Sequence, residues 1–148
     1  MTTDYTKELA ACQKEYDLLS VTIENDIKLQ GKTLEPALSE QPNMQRNWVL
    51  LGAALAWLYA EACNDADTAY GDAFTNAQSD SYKSRNSTEA KWFAERDNGY
   101  NDAVRIKNKV FRLKKQVDGI LDVIESRKYV LKDLTASIIN QQNNTRLI

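Results

Sequence analysis

The stretch that decides the fold is residues 103–138, AVRIKNKVFRLKKQVDGILDVIESRKYVLKDLTASI. Apolar side chains recur there at every third or fourth position, and the positions in this rhythm are Ala103, Ile106, Val110, Leu113, Val117, Ile120, Ile124, Arg127, Leu131, Leu134 and Ile138. Only Arg127 is polar. This spacing is typical of the apolar seam of a coiled coil or helical bundle. We therefore expect one long helix whose stripe packs against other helices.

The remaining sequence predicts two further helices and polar connections. Tyr5, Leu9, Cys12 and Tyr16 follow the same spacing near the N-terminus. The expected parts are an N-terminal helix over residues 1–30, a linker over 31–42, a second helix over 43–77, a polar loop over 78–88, a long C-terminal helix over 89–140 and a tail over 141–148. Together they predict a single all-α domain over residues 1–148, built as a long-helix hairpin or three-helix bundle with coiled-coil heptads.

Two interpretations of the seam remain open. It is either the inside of a bundle formed by one chain, or partly a contact between subunits, because the two shorter helices cannot cover the whole third helix. The second interpretation predicts a homo-oligomer, for which a closed ring is one form. Arg127 would pair with an acid such as Glu61, Asp65 or Asp67, or, in the second interpretation, set the oligomer register. The residues assigned to an oligomer interface are Ile120, Ile124, Arg127, Leu131, Leu134 and Ile138.

The composition argues against catalysis. Histidine is absent, which removes the commonest general base and the commonest transition-metal ligand. The two cysteines, Cys12 and Cys63, are too few for a disulfide framework and suit a reducing compartment. Paired acids such as Asp65 and Asp67 have no phosphate-binding loop or nucleophile motif near them. We expect no enzyme activity, no metal and no cofactor.

The sequence also predicts no membrane segment. The longest apolar run, Trp48–Ala62, is shorter than the roughly 20 residues that a bilayer-spanning helix needs. The first residues lack the basic start and apolar block of a signal peptide. A cytoplasmic location is therefore expected.

Charge is distributed unevenly along the chain. Residues 1–80 contain 5 basic and 13 acidic side chains, whereas residues 81–148 contain 14 basic and 8 acidic ones. Cations that follow phosphates, interleaved with aromatic rings on which bases stack, are what single-strand binding requires. The residues assigned to nucleic-acid binding are Lys83, Arg85, Lys91, Trp92, Arg105, Lys107, Lys109, Arg112 and Lys115. A merely solvated face, or head-to-tail contact between acidic and basic surfaces, remains the alternative.

The string LDVIESRKYVLKDL, Leu121–Leu134, resembles the closing helix of the UvsY-type recombination mediators of T-even-like phages. A similar Leu-Asp-x-Ile-x-Ser-Arg core is followed there by an apolar-Lys pair, which is Leu131–Lys132 here. Glu89, Lys91 and Asp97 stand at family-like distances upstream. The similarity covers Glu89–Leu134, and extends more loosely to a Trp- and Leu-rich helix around Trp48–Leu58.

The resemblance implies a helical protein that forms a closed ring and binds single-stranded DNA. Such a protein helps to load a RecA-like recombinase onto strands covered by single-strand-binding protein, in the cytoplasm of the phage's host cell, and does not itself hydrolyse nucleotides. This family's basic stretch lies late in the preceding helix, where Asp65–Phe74 is acidic here. We therefore place the DNA site at Lys83–Lys115. The alternatives are a phage structural or assembly protein without DNA binding, and an inhibitor whose acidic N-terminal half mimics DNA.

Overall fold

The computed structural model describes residues 4–28, 34–79 and 86–146, and in these ranges it contains four helices and no strands. The helices are α1 (Tyr5–Ile27), α2 (Leu34–Gln78), α3 (Ser87–Glu95) and α4 (Asn98–Arg146). The prediction of an all-α protein is confirmed. Within the described ranges, no helix is both long enough and apolar enough to cross a bilayer.

Acidic and amide side chains cap three of the helices at their N-termini. The Asp4 carboxylate accepts a hydrogen bond from the backbone N–H of Lys7 at 3.2 Å, at the start of α1. Asn86 accepts from the N–H of Glu89 at 2.9 Å, at the start of α3. Asp97 accepts from the N–H of Tyr100 at 3.0 Å and so begins α4. Each cap satisfies an N–H group that has no acceptor inside its own helix.

The predicted linker over residues 31–42 is wrong from Leu34 onward, because α2 begins there. Pro36 lies in the first turn, where a missing N–H costs nothing since no helical acceptor is available. The Ser39 hydroxyl donates to the Pro36 carbonyl at 3.0 Å. Pro42 is inside the helix, so α2 lacks one backbone hydrogen bond at that point. A glycine often ends a helix, and the sequence predicts this role for Gly31, which lies outside the described residues.

The predicted C-terminal helix over residues 89–140 is two helices. The N–H groups of Arg96 and Asp97 donate to the carbonyls of Phe93 and Ala94, both at 3.2 Å, in a tight turn that ends α3. The Asp97 side chain then caps the following helix. The predicted tail at 141–148 is also corrected, because α4 continues through Arg146. Residues 147 and 148 lie outside the described ranges.

The chain forms two compact units. Unit 1 comprises Met1–Ala11 and Ala54–Lys115. Small residues, including Ala62 and Ala66 of α2, let its helices approach closely, and its buried apolar side chains are Leu55, Leu58, Ala62, Ala66, Ala77, Ala90, Ala94, Val110 and Leu113. The Tyr5 hydroxyl donates to the Asp65 carboxylate at 2.5 Å. This hydrogen bond ties the start of α1 to α2 within unit 1.

Unit 2 comprises Cys12–Ala53 and Gln116–Ile148. Its buried apolar side chains are Cys12, Ile23, Ala37, Met44, Trp48, Leu51, Val117, Ile124 and Leu131. Trp48 is 1% exposed, and the Tyr16 ring meets it edge-on with centroids 5.9 Å apart. Each unit therefore has its own apolar core. The expectation of one domain over residues 1–148 stays a prediction.

Two exposed glycines inside helices give a stability prediction. A Cβ added at Gly71 or Gly119 meets nothing within 4 Å. Gly71→Ala and Gly119→Ala should each raise the free energy of unfolding by about 0.5–1 kcal/mol, because alanine restricts the unfolded backbone more than glycine does. Urea denaturation at one fixed protein concentration measures the change. A lower free energy of unfolding in either variant would contradict the helix assignment.

Gly52 provides the contrasting substitution. A Cβ at this position would lie 3.0 Å from Cδ1 of Leu121 and 3.7 Å from Cγ1 of Val117, all within unit 2. Gly52→Ala should therefore stabilise less than Gly71→Ala, because the Leu121 side chain has to move to accept the new methyl group.

Candidate nucleic-acid interface

Four cations form a basic stripe on α4: Arg105, Lys109, Arg112 and Lys115, all of which are exposed. Arg105, Lys109 and Arg112 are spaced by four and then three residues, which places them on one face of the helix. The apolar positions Val110 and Leu113 are buried on another face and so direct the stripe to solvent. No acid occurs between Asp102 and Asp118, so every charged residue in this segment of α4 is basic.

The basic stripe retains most of its cations for an external anion. Arg105 pairs with Asp102 at 3.3 Å, but both side chains are more than two-thirds exposed, and such ion pairs contribute little. Within the described part of the chain, neither Lys109 nor Arg112 has an ion-pair partner. A phosphate can therefore reach these cations without breaking a strong internal interaction.

An aromatic ring lies directly beside the stripe. Phe111 is 41% exposed, and Nζ of Lys115 lies 5.3 Å from its ring centroid. Phe111 also packs against Tyr59, and the two ring centroids are 5.5 Å apart. A hydrogen bond with the Cys63 thiol raises the pKa of Tyr59. The Phe111 ring is thus supported from the protein side and partly open to solvent.

A second group of side chains, which we name the aromatic cluster, consists of Trp92 and Phe93 of α3 and of Arg96, the residue that follows this helix. Trp92 is 50% exposed and meets Phe93 edge-on with centroids 4.8 Å apart. The guanidinium of Arg96 lies 3.9 Å from the Trp92 ring centroid, and its Nη1 donates to the Trp92 carbonyl at 3.1 Å. These contacts hold an exposed indole next to a positive charge, a combination suited to stacking a base beside its phosphate.

The structure separates the residues that the sequence assigned to DNA binding. Lys107 is half-buried and lies away from the basic stripe, and Lys91 pairs with Glu95 at 4.0 Å on the surface of α3. Lys83 and Arg85 lie outside the described residues. The assignment to Trp92 gains Arg96 as a neighbour that the sequence-based assignment left out, although the spacing of four residues in a helix could have suggested it.

The exposed large apolar side chains differ in kind between the two units. Among the described residues, those of unit 1 are all aromatic: Trp57, Trp92, Phe93 and Phe111. Those of unit 2 are mostly aliphatic: Leu18, Val21, Leu38, Val49, Leu50, Val123, Tyr129, Val130, Leu134, Ile138 and Ile139. Exposed rings suit base stacking, whereas exposed aliphatic side chains suit contacts between proteins.

Arg127, the polar residue of the seam, is 4% exposed and donates a hydrogen bond from Nη1 to Oε1 of Gln41. Nε2 of Gln41 donates in turn to the Ile124 carbonyl at 3.1 Å. The Asp65 carboxylate accepts a hydrogen bond from Tyr5 in unit 1, and the pairing of Arg127 with an acid stays a prediction. Arg127 is therefore part of a buried polar network inside unit 2.

The oligomer-interface assignment is corrected in the same region. Ile124, Arg127 and Leu131 are buried within the chain itself, so a second copy cannot contact them directly. Leu134 and Ile138 remain exposed, which leaves them available to a partner. The seam spacing predicts that a side chain is buried. It does not distinguish burial by helices of the same chain from burial by a second chain.

Among the described residues, no group of three or more His, Cys, Asp or Glu side chains is arranged to hold a metal ion. Comparison of the chain with models of known protein families, with curated proteins and with solved structures finds no match.

Proposed function

We propose that this chain is an oligomeric, single-stranded-DNA-binding mediator of phage recombination. The observation that carries the proposal is the basic stripe in unit 1, with the exposed Phe111 against Lys115. The cations attract the phosphates of a single strand, and the rings of Phe111 and Trp92 stack its bases. This recognition is independent of base sequence, because every base has a face that can stack.

The mediator role rests on the resemblance of Leu121–Leu134 to the UvsY-type proteins. In that role the chain would act in the host cytoplasm as a homo-oligomer that holds single-stranded DNA. It would help a RecA-like recombinase to replace single-strand-binding protein, without hydrolysing nucleotides itself. Repetition of weak contacts across the subunits would raise the overall affinity through avidity.

The second candidate is a phage structural or assembly protein that forms helical oligomers and does not bind DNA. The exposed aliphatic side chains of unit 2 favour it, since they suit contacts between proteins. The two candidates differ in one observable. The assembly protein forms its oligomers but ignores an oligonucleotide, whereas the mediator binds the oligonucleotide through unit 1.

Stacking gives a specific prediction. Trp92→Leu should weaken binding to a fluorescently labelled oligo-dT by roughly 5- to 100-fold, because a base stacked on an aromatic ring is worth about 1–3 kcal/mol. Fluorescence anisotropy at low salt measures the affinity. The indole is half exposed, so its removal should leave the fold intact, which far-ultraviolet circular dichroism checks.

Trp57→Leu is the matched control. Trp57 is 54% exposed in unit 1, but its part of α2, residues 54–78, contains only acidic charged residues: Glu61, Asp65, Asp67 and Asp72. The Trp57→Leu substitution should therefore leave the affinity for oligo-dT unchanged. Equal losses in the Trp57 and Trp92 variants would mean that the aromatic cluster has no particular role in binding.

A further inference from the structure

An open groove of about 790 Å³ runs along unit 2 between the start of α2 and the end of α4. Its exposed apolar lining residues include Leu38, Tyr129 and Ile139. The α4 residues that line it run from Lys128 to Ile139, which is about 16 Å at 1.5 Å per residue. A groove about three helical turns long between two helices suits an amphipathic helix as its occupant.

The charge of the groove restricts this occupant. Lys128 and Lys132 line it, both are exposed, and the lining contains no acidic residue. The complementary helix therefore presents apolar side chains with acids beside them.

The N-terminal helix of the same protein has these properties. Two large apolar side chains of α1 are strongly exposed: Val21 is 80% exposed and Leu18 is 60% exposed. They lie three residues apart and so share one side of the helix. The acids Asp17 and Glu24 are exposed beside them. Asp17 also accepts a hydrogen bond from Gln13 at the surface, at 2.9 Å. In total α1 carries five acidic and two basic residues.

We propose that α1 of a second copy of this chain docks in the groove, with Leu18 and Val21 against its apolar lining. Asp17 and Glu24 of that copy then face Lys128 and Lys132, so the contact combines burial of aliphatic surface with complementary charge. The inference deepens the oligomeric part of the proposed function, and it does not depend on DNA binding.

The proposed contact also constrains the assembly. Helix α1 and the groove are different surfaces. Each copy therefore inserts its α1 into the groove of one neighbour and binds α1 of another neighbour in its own groove. Such a heterologous contact closes into a ring when the rotation between neighbours permits it, and otherwise extends into a filament. The subunit contact thus involves α1 and the exposed end of α4, in place of the buried seam positions Ile124 and Leu131.

The test uses two variants that damage opposite sides of the contact. Leu18→Glu with Val21→Glu destroys the docking face but keeps the groove, and Leu38→Glu with Ile139→Glu destroys the groove but keeps the docking face. All four side chains are exposed, so the fold should survive, as circular dichroism checks. Each variant alone should have the mass of one chain, 16.8 kDa, by size-exclusion chromatography with light scattering.

Mixing the two variants provides the decisive result. The mixture retains one intact face and one intact groove, so it should form a dimer of one copy of each variant and nothing larger. A monomeric wild-type chain would overturn the proposal and leave the groove to another partner, such as an acidic helix of a different protein. Oligomeric single variants, or a mixture that stays monomeric, would also overturn it.

A charge exchange gives an independent readout if the glutamate variants are poorly folded. A chain with Lys128→Glu and Lys132→Glu should no longer form the oligomer that the wild-type chain forms. Adding Asp17→Lys with Glu24→Lys to the same chain should restore it, because the two charge patterns match again. No restoration would contradict the pairing of these four residues. Anisotropy with oligo-dT, measured on the monomeric variants, separates failure of this contact from failure of DNA binding.

Discussion

Lys109→Glu combined with Arg112→Glu is expected to weaken binding to an unstructured oligonucleotide by about 100-fold at about 0.1 M salt. Each cation near a phosphate is worth about 1 kcal/mol in water, and its reversal replaces attraction with repulsion. Two reversals therefore change the binding free energy by a few kcal/mol before salt screening reduces the effect. Both residues belong to the exposed basic stripe, so the fold should not change.

The control is Lys28→Glu combined with Arg46→Glu. It reverses one lysine and one arginine, both exposed, but in unit 2. The net charge of this variant is the same as that of the stripe variant, so a general electrostatic effect would weaken both equally. We expect less than about a tenfold loss for the control, since neither residue belongs to the basic stripe and salt screens the interactions of exposed charges. Equal losses would contradict a DNA site on the basic stripe.

The largest expected effect on stability comes from Gln41→Leu. Gln41 is 6% exposed, accepts a hydrogen bond from Arg127 and donates another to the Ile124 carbonyl. Removing the amide takes a partner away from a buried guanidinium, and a hydrogen bond to a charged group contributes about 1.5–3 kcal/mol. The free energy of unfolding should therefore fall by about 2–3 kcal/mol in urea denaturation.

Two further variants separate this network from a simple packing effect. Gln45→Leu makes the same change one turn later on α2, at a half-buried position, and should alter stability little. Arg127→Leu added to Gln41→Leu should recover most of the loss, because it removes the buried charge together with its partner. If the two substitutions destabilise additively, Gln41 and Arg127 are not coupled and the network has no energetic role.

The local spacing of the sequence was sufficient to predict the helices and much of the core. Val110, Leu113, Val117, Ile124 and Leu131 are buried as the seam requires, because helical periodicity depends only on residues three and four apart. The same locality made the basic stripe predictable, since its exposure follows from burial of the opposite positions.

The boundaries and the cover of the seam depend on information that spacing does not contain. The predicted linker over residues 31–42 contains two prolines, Pro36 and Pro42, yet a proline in the first turn is compatible with a helix. The break at Arg96–Asp97 has no proline, and its signal is the Asp97 side chain that caps the next helix. The identity of the helix that covers Arg127 is a matter of tertiary packing.

We propose that unit 1 binds single-stranded DNA through phosphate contacts and stacking. A salt titration of the wild-type chain with labelled oligo-dT tests it most directly. Each phosphate contact to a single strand lowers the logarithm of the binding constant by about 0.7 per tenfold rise in salt, so four stripe cations predict a slope of about −3 per chain. Binding at low salt, with a binding constant that falls with this slope as salt rises, would support a single-stranded-DNA site in unit 1. No binding at low salt, or an affinity that does not change with salt, would contradict it.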